Sequence, residues 1–394
     1  MITTGRQPQA AAQFDARGGG SAELRAQSKG QAWFRPVRGR GRLGVVSLAR
    51  LLAFEIVLVI VAAVGVQRLW ALIAAGVIGL AVIVLMFGRS KGRWWTESLM
   101  LWMGFRSRRG TAGEKRNDPR LAALCELAPD LVVEDIAGPG ESKLGMGSDE
   151  AGWFTVLQVA GGSSGVPTPP VPLSALARTA AEAEQAGVVM QVVTHSVPGR
   201  EPGTRDRTLW VAVRLDAKAV ADSMIDSPAE RLDVPAVLAE ITRRAERVLR
   251  RRGLQARMLT ADEAVDALAR SCDLLPGAGG ARVHETWDAW HSQRLRHGCF
   301  WVQSWPDPDR GTVLLAGLAE LPADLVSTAL LLEPSYDGTT LRCLVRIATS
   351  PQRYGHVGDL VRTLAERNGA RVSRLDGQHG PAVYASAPSG GGAR

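Results

Sequence analysis

The stretch Leu48–Phe87, LARLLAFEIVLVIVAAVGVQRLWALIAAGVIGLAVIVLMF, decides how the rest of the chain is read. It holds two apolar runs, Leu51–Val66 and Leu69–Phe87, parted only by Gln67 and Arg68. An α-helix needs about 20 predominantly apolar residues to cross about 30 Å of hydrocarbon. The second run has that length. The first reaches it by starting near Val45 and carrying Arg50 and Glu55 inside the span. One such run suits a soluble core; two in succession predict a membrane hairpin.

The charges around the hairpin set its orientation. Arg35, Arg38, Arg40 and Arg42 precede it, and Arg89, Lys91, Arg93, Arg106, Arg108 and Arg109 follow it, whereas the connecting turn carries only Arg68. Positive flanks stay on the cytoplasmic side. The expectation is a multi-pass protein of the plasma (inner) membrane with both termini cytoplasmic. The net charge of +8 is concentrated on these flanks, which suits anionic lipid headgroups rather than nucleic acid. Of the 11 tryptophans, Trp33, Trp70, Trp94, Trp95 and Trp102 fall near expected interfaces. Trp94–Phe105 (WWTESLMLWMGF) reads as a segment along the inner membrane face, with Trp94, Trp95 and Trp102 as candidate interfacial anchors.

Glu55 is the most informative residue of the hairpin, because an ionised carboxylate in mid-span is costly. One reading pairs it with Arg50 or with a group on a neighbouring chain, as an intramembrane packing contact. The other keeps it protonated within the hairpin. Both stay open. Gly76 and Gly79, with Ala71, Ala74 and Ala75, give the second helix a small-residue face for close packing.

The chain then divides into a disordered basic tail (1–42), the hairpin (43–88), a basic interfacial segment and linker (89–117), a first α/β unit (118–280), a second (281–387) and a tail (388–394). In the first unit the pattern predicts a strand at Trp153–Val159, a helix at Leu173–Ala186, strands at Val188–Thr194 and Thr208–Leu215, an amphipathic helix at Val234–Arg252, a strand at Leu254–Leu259 and a helix at Ala261–Arg270. In the second it predicts a strand at Cys299–Trp305, a helix at Leu321–Ala329, strands at Leu330–Glu333 and Thr339–Ala348, a helix at Gly355–Asn368, a strand at Ala370–Leu375 and a further short one at Ala382–Ala385. Both halves read strand, helix, strand, strand, helix, strand. The expected fold class is therefore α+β: a two-helix N-terminal transmembrane hairpin followed by a cytoplasmic α/β body of about two ferredoxin-like βαββαβ units.

Searched for chemistry, the sequence offers little. It has no GxxxxGK[ST] and no GxGxxG between a strand and a helix. Gly138-Pro139-Gly140, Gly145-Met146-Gly147 and Gly277–Gly280 read as loops and turns. His284–His291 (HETWDAWH) would place His284, Asp288 and His291 on one helix face, a set that could hold zinc. Its alternating tryptophans favour a packing helix, so no metal site is expected. Ser163 and Ser164 lie in GGSSG, which is not the GxSxG nucleophile elbow, and His195 stands alone. The cysteines Cys125, Cys272, Cys299 and Cys343 have no ligand-like spacing. No catalytic residue and no cofactor are expected.

A basic tail, two close-set apolar helices and a body carrying WFTVLQV, PLSALARTAAEAEQAGVVMQVVTH, RTLWVAVRL, HETWDAWHSQRLRHGCFWVQSWP and VLLAGLAELPADLV resemble EccE, a membrane component of the type VII (ESX) secretion systems of Actinobacteria. The resemblance implies a non-catalytic structural subunit of the inner-membrane secretion complex. Its partners would be the other membrane subunits, including an FtsK/SpoIIIE-type ATPase. The alternative from another class is a membrane-tethered enzyme resembling glycosyl- or nucleotidyl-transferases, for which Asp307-Pro308-Asp309 has the spelling of a DxD metal site; the proline and the following Arg310-Gly311 favour a turn.

Overall fold

The computed structural model describes residues 118–392 except 139–141, 161–169, 227–231, 275–282 and 336–337, and before them 24–26, 42–43, 46–47, 54–56, 59, 63, 69–90 and 93–108. Its contacts gather into two units, Arg35–Thr111 on the one hand and Met1–Phe34 with Ala112–Arg394 on the other. Most of the first apolar run lies outside the described residues, although Phe54–Ile56, Val59 and Ala63 are helical.

In the smaller unit α1 (Leu69–Phe87) is followed by α2 (Trp95–Arg108). Between them Arg89–Ser90 pairs antiparallel with Arg93–Trp94. Gly88 makes this tight return possible. Its amide donates to the Val84 carbonyl at 2.6 Å, and a side chain there would run into the Trp95 ring.

The larger unit is mixed α+β and is built on one large, almost wholly antiparallel sheet. Its elements are α3 (Pro119–Cys125), β1 (Val132–Ala137), β2 (Lys143–Asp149), β3 (Gly152–Val159), α4 (Leu173–Ala181), β4 (Val188–Pro198), β5 (Arg205–Asp216), α5 (Ala217–Asp226), α6 (Val234–Arg251), β6 (Ala256–Met258) and α7 (Ala261–Ser271). They continue with β7 (His284–Glu285), β8 (Trp290–His291), β9 (Arg296–Ser304), α8 (Pro308–Ala319), β10 (Leu325–Ser335), β11 (Gly338–Thr349), α9 (Tyr354–Arg367), β12 (Arg371–Arg374) and α10 (His379–Ala385).

The strand order is β7-β8-β9-β11-β10-β4-β5-β3-β2-β1, with β6 on β3, β12 on β9 and Leu24–Ala26 parallel to β11. Around the β4–β10 seam this order is a mirror. Reading outward, one side runs β4, β5, β3, β6 and the other β10, β11, β9, β12. The registers match as well. β5 begins opposite the end of β4 (Arg205 with Pro198), as β11 begins opposite the end of β10 (Gly338 with Ser335). β3 begins opposite the end of β5 (Gly152 with Asp216), as β9 begins opposite the end of β11 (Arg296 with Thr349). Each half also carries a preceding hairpin: β1–β2 lengthens the edge of β3, and β7–β8 that of β9.

Both faces of the sheet are covered, which gives two apolar cores. On the first face Leu157, Val192, Val211, Val326, Leu330 and Val345 meet α4, α6, α8 and α9. Here α6 buries Leu238, Ile241, Ala245 and Leu249 and turns its arginines outward. On the second face Phe154, Val193, Trp210, Trp301, Ala329 and Leu344 meet α3, α7 and α10.

Four sequence-based expectations are corrected. The second-half helix is Pro308–Ala319, not Leu321–Ala329: Asp307 caps it by accepting from the Arg310 amide at 2.9 Å, with Pro308 in its first turn. The apolar run after it is the strand β10. HETWDAWH is the hairpin β7–β8 rather than a helix, closed by the Thr286 amide donating to the Ala289 carbonyl at 2.8 Å. Gly145-Met146-Gly147 lies within β2, where the Gly145 position sits against the backbone of Thr260 too closely for any side chain. Ala382–Ala385 ends a helix, α10, instead of forming a strand.

The segment from α10 to Gly392 is buried on the second face. There Arg214, 2% exposed along its side chain, pairs with Asp149 and donates to the Ser389 carbonyl at 2.7 Å. Tyr384 donates to Asp149 at 2.8 Å. Gln191 donates to the Ala385 carbonyl at 2.7 Å and accepts from the Gly390 amide at 2.8 Å. Removing one member of a buried pair strands the other's charge and costs about 3–5 kcal/mol, whereas replacing both with apolar groups is often neutral. Arg214→Met is therefore expected to lower the thermal unfolding midpoint of the full-length protein sharply, and the double change Arg214→Met/Asp149→Leu to recover most of the loss. Equal losses in single and double variants would refute the pairing.

Candidate functional site

The smaller unit presents apolar side chains that nothing within it covers. On α1, Ile73, Val77, Ile78 and Leu80 are each more than 60% exposed and Val84 is 47% exposed. On α2, Leu99, Met100, Trp102 and Met103 are also open. Isolated exposed apolar residues are ordinary, but a contiguous set marks a surface that meets lipid or protein. Fully burying each such side chain is worth about 1.5–3 kcal/mol. Among the described residues no helix is long and apolar enough to cross a membrane; in α1 these exclude the side chains of 69–72, 75 and 85–87. As sequence, α1 is 19 residues without a charged group, about 28 Å at 1.5 Å per residue.

The expected site residues fall in or beside this unit. Glu55 lies on an exposed helical stretch between Phe54 and Ile56, and Arg50 lies outside the described residues. Trp94 closes the short hairpin before α2. Trp95 opens α2 and is exposed, and Trp102 is exposed one face along, with the Arg106 guanidinium 5.5 Å from its ring centre. The helix places Leu99, Trp102, Met103 and Arg106 at three- and four-residue spacing, a stripe of apolar groups ending in a cation.

In the larger unit several of the chemistry-bearing side chains that the sequence singles out are engaged in structure. Asp307 caps α8. His284 and His291 stack at 4.5 Å across β7 and β8. Asp288 pairs with Arg296, whose guanidinium lies 4.2 Å from the centre of the Tyr354 ring. Ser163 and Ser164 lie outside the described residues. Among the described residues no group of three or more His, Cys, Asp and Glu could hold a metal ion. The four cysteines are free and buried, and burial pushes Cys272 up to about 11 and Cys299 up to about 12, so both are uncharged thiols at neutral pH. Two surface hollows follow α6: one of about 250 Å³ beside Arg244, Arg247 and Arg251, and one of about 780 Å³ beside Arg250 and Arg257.

Two histidines of the second face were not singled out as a pair by sequence. His195, packed on Trp210 with ring centres 5.6 Å apart, is pulled down to about 3 by burial and by the charges of Arg346, Arg270 and Arg205. His297 is lowered well below its ordinary value by burial and by Arg346. Their signal is faint: each is one of several polar residues in a largely apolar strand.

The fold and the smaller unit together define a class: an α+β body carried in one chain with an apolar helical unit. Residues 204–302, from the start of β5 to within β9, match the family model described as "Putative type VII ESX secretion system translocon, EccE". The match covers about a quarter of the chain and falls on the family that the sequence resembles. No curated protein matches. Solved structures match only distantly. A berberine bridge enzyme variant described as a reticuline dehydrogenase is 10% identical over 60% of this chain and 50% of its own, with a TM-score of 0.23. An aminoacylhistidine dipeptidase from Vibrio alginolyticus is 13% identical over 62% and 41%, with a TM-score of 0.17. The chain thus spans half or less of these two proteins, and likeness at this level carries no argument about its fold or activity.

The two histidines give a pH dependence. Unfolded, each takes up a proton below about 6.5; folded, each stays neutral far below that. The unfolded state then binds more protons, so stability is complete above about 6.5 and is lost as pH falls towards 3. Each histidine contributes up to about 1.4 kcal/mol per pH unit within the window. His195→Leu is expected to flatten the fall in unfolding midpoint between pH 6 and pH 4; an unchanged slope would contradict the assignment.

Proposed function

We propose that this chain is a non-catalytic structural subunit of a type VII secretion inner-membrane complex. Its N-terminal hairpin anchors it, and its body stands on the cytoplasmic side. The observation that carries the reading is the EccE-family match over residues 204–302, on a chain that also bears the apolar α1–α2 surface. An open apolar helix face of this kind needs lipid or neighbouring subunits, and Trp95, Trp102 and Arg106 suit the headgroup boundary. The basic residues flanking the hairpin meet anionic lipids, and the other membrane subunits, an FtsK/SpoIIIE-type ATPase among them, supply the remaining contacts. Arg50 and Glu55 are the candidate contact within the membrane.

We also propose that the body is a tandem of two ferredoxin-like units, β3-α4-β4-β5-α6-β6 and β9-α8-β10-β11-α9-β12, joined through their second strands. The mirrored strand order and the matching registers support this reading. A tandem of this kind offers broad helical faces for neighbours to pack on.

The test is affinity purification of the full-length protein, solubilised in mild detergent from its native membrane. The expected result is a large assembly that contains a secretion ATPase. Recovery of the chain alone, with bound nucleotide or metal, would favour the tethered-enzyme reading. A charge in mid-span costs about 3 kcal/mol, so Ile78→Asp is expected to reduce assembly several-fold, while Val313→Asp, at an exposed apolar position of α8, leaves it unchanged. If Glu55→Gln also leaves assembly and stability unchanged, the intramembrane contact is ruled out.

A further inference from the structure

Arg346 lies on the second face of the sheet, in the middle of β11, and is fully buried. One guanidinium nitrogen, Nη2, donates to the Ser271 hydroxyl at the end of α7, 2.9 Å away. Nε and Nη1 reach no protein acceptor among the described residues. Across the sheet Arg346 stands opposite Cys299 on β9 and opposite Ser327 on β10. His297, two residues before Cys299 on the same face of β9, is also fully buried, and neither of its ring nitrogens has a protein partner among the described residues. On the far side of Ser327 stands His195, whose Nδ1 is likewise unpartnered.

A buried guanidinium is tolerated when an opposite charge accompanies it. Three carboxylates on neighbouring segments, Asp273, Asp376 and Glu285, are held by other groups. Asp273 accepts from Ser292 and from Arg294, each at 2.7 Å. Asp376 accepts from Arg374 at 2.6 Å, and Glu285 accepts from the Gly380 amide at 2.9 Å. The segment 275–282 that follows α7, LPGAGGAR, contains no acidic residue. Cys272 and Cys299 are raised by burial to about 11 and about 12 and supply no thiolate. His297, held neutral, contributes a ring N–H donor without a second positive charge.

We propose that Arg346, with His297 and Ser271 at its sides, forms a buried site for a small inorganic monoanion of the chloride type. Nε and Nη1 of Arg346 and one N–H of His297 donate to the ion. Its single negative charge balances the single positive charge of the cluster, and complete burial of Arg346, Ser271 and His297 admits a monatomic ion rather than a nucleotide or an organic phosphate. The ion locks α7 to β9 and β11, at the point where the two halves share the second face. It is thus a structural counter-ion of the body, independent of the secretion role proposed above.

The test uses the full-length protein in detergent, with chloride exchanged for gluconate at constant ionic strength and unfolding followed by circular dichroism. The midpoint is expected to rise with chloride concentration and to saturate, as one-site linkage requires, with bromide replacing chloride. Arg346→Met removes the dependence. Because that variant also strands Ser271 and His297, crystals of the unaltered protein soaked in bromide supply a second reading: anomalous density within hydrogen-bond reach of the Arg346 guanidinium. Midpoints equal in chloride and gluconate, with no bromide density at Arg346, would overturn the proposal in favour of water at that place. A midpoint that responds to phosphate and not to halide would overturn the class of ion.

Discussion

The pairing of β4 with β10 is the constraint on which the rest of the body depends. Seven residue pairs run along it, from Val326 with Ser196 to Leu332 with Met190. Near its middle Val192 faces Leu330 and Val193 faces Ala329, all four without measurable exposure. Both strands are covered on both faces, and so both read as nearly continuous apolar runs, VVMQVV and LVSTALLL. Parted, each would be a long apolar edge open to wrong pairing. Joined, they fix the mirror order of the sheet, and through it the grouping of α4, α6, α8 and α9 on one face and of α3, α7 and α10 on the other.

The second face differs in character from the first. The first is closed by amphipathic helices over aliphatic side chains. The second carries buried polar groups, Gln191, His195, Arg214, His297 and Arg346, and the chain uses its own C-terminal segment to hold two of them, Gln191 and Arg214. Gly390 and Gly392 lie against the Arg214 side chain so closely that a methyl group at either position would collide with it. A glycine-rich ending thus serves as packing material where a chain with side chains would not fit.

That ending shows why the sequence yielded some elements and withheld others. SAPSGGGAR has the composition of a tail, and nothing in its residue types announces Arg214 and Gln191, which lie far away along the chain. The strands at 188–198, 205–216 and 338–349 were legible as short apolar runs rich in valine and leucine, and the helices at 234–251 and 354–367 by the period that burial of one face imposes. HETWDAWH alternates as a strand does, but its histidines and aspartate also fit one helix face, and only the Thr286–Ala289 turn decides between the two. The helix after Asp307 was hidden because an N-cap followed by proline has the same spelling as a turn. Glu55 and the tryptophans were singled out by hydropathy alone, whereas the Arg346 cluster depends on strands brought together from distant stretches.

The functional account unites an apolar helical unit that needs a membrane or neighbours with the α+β body. The most direct test of that account is cysteine labelling in intact cells with a membrane-impermeant maleimide. The four native cysteines are buried and so stay silent in the folded protein. A cysteine at Gln67, between the two apolar runs of the proposed hairpin, is predicted to label from outside. One at Arg362, exposed on α9, is predicted to label only after the membrane is opened. Labelling of the Arg362 position in intact cells would place the body outside and contradict the account.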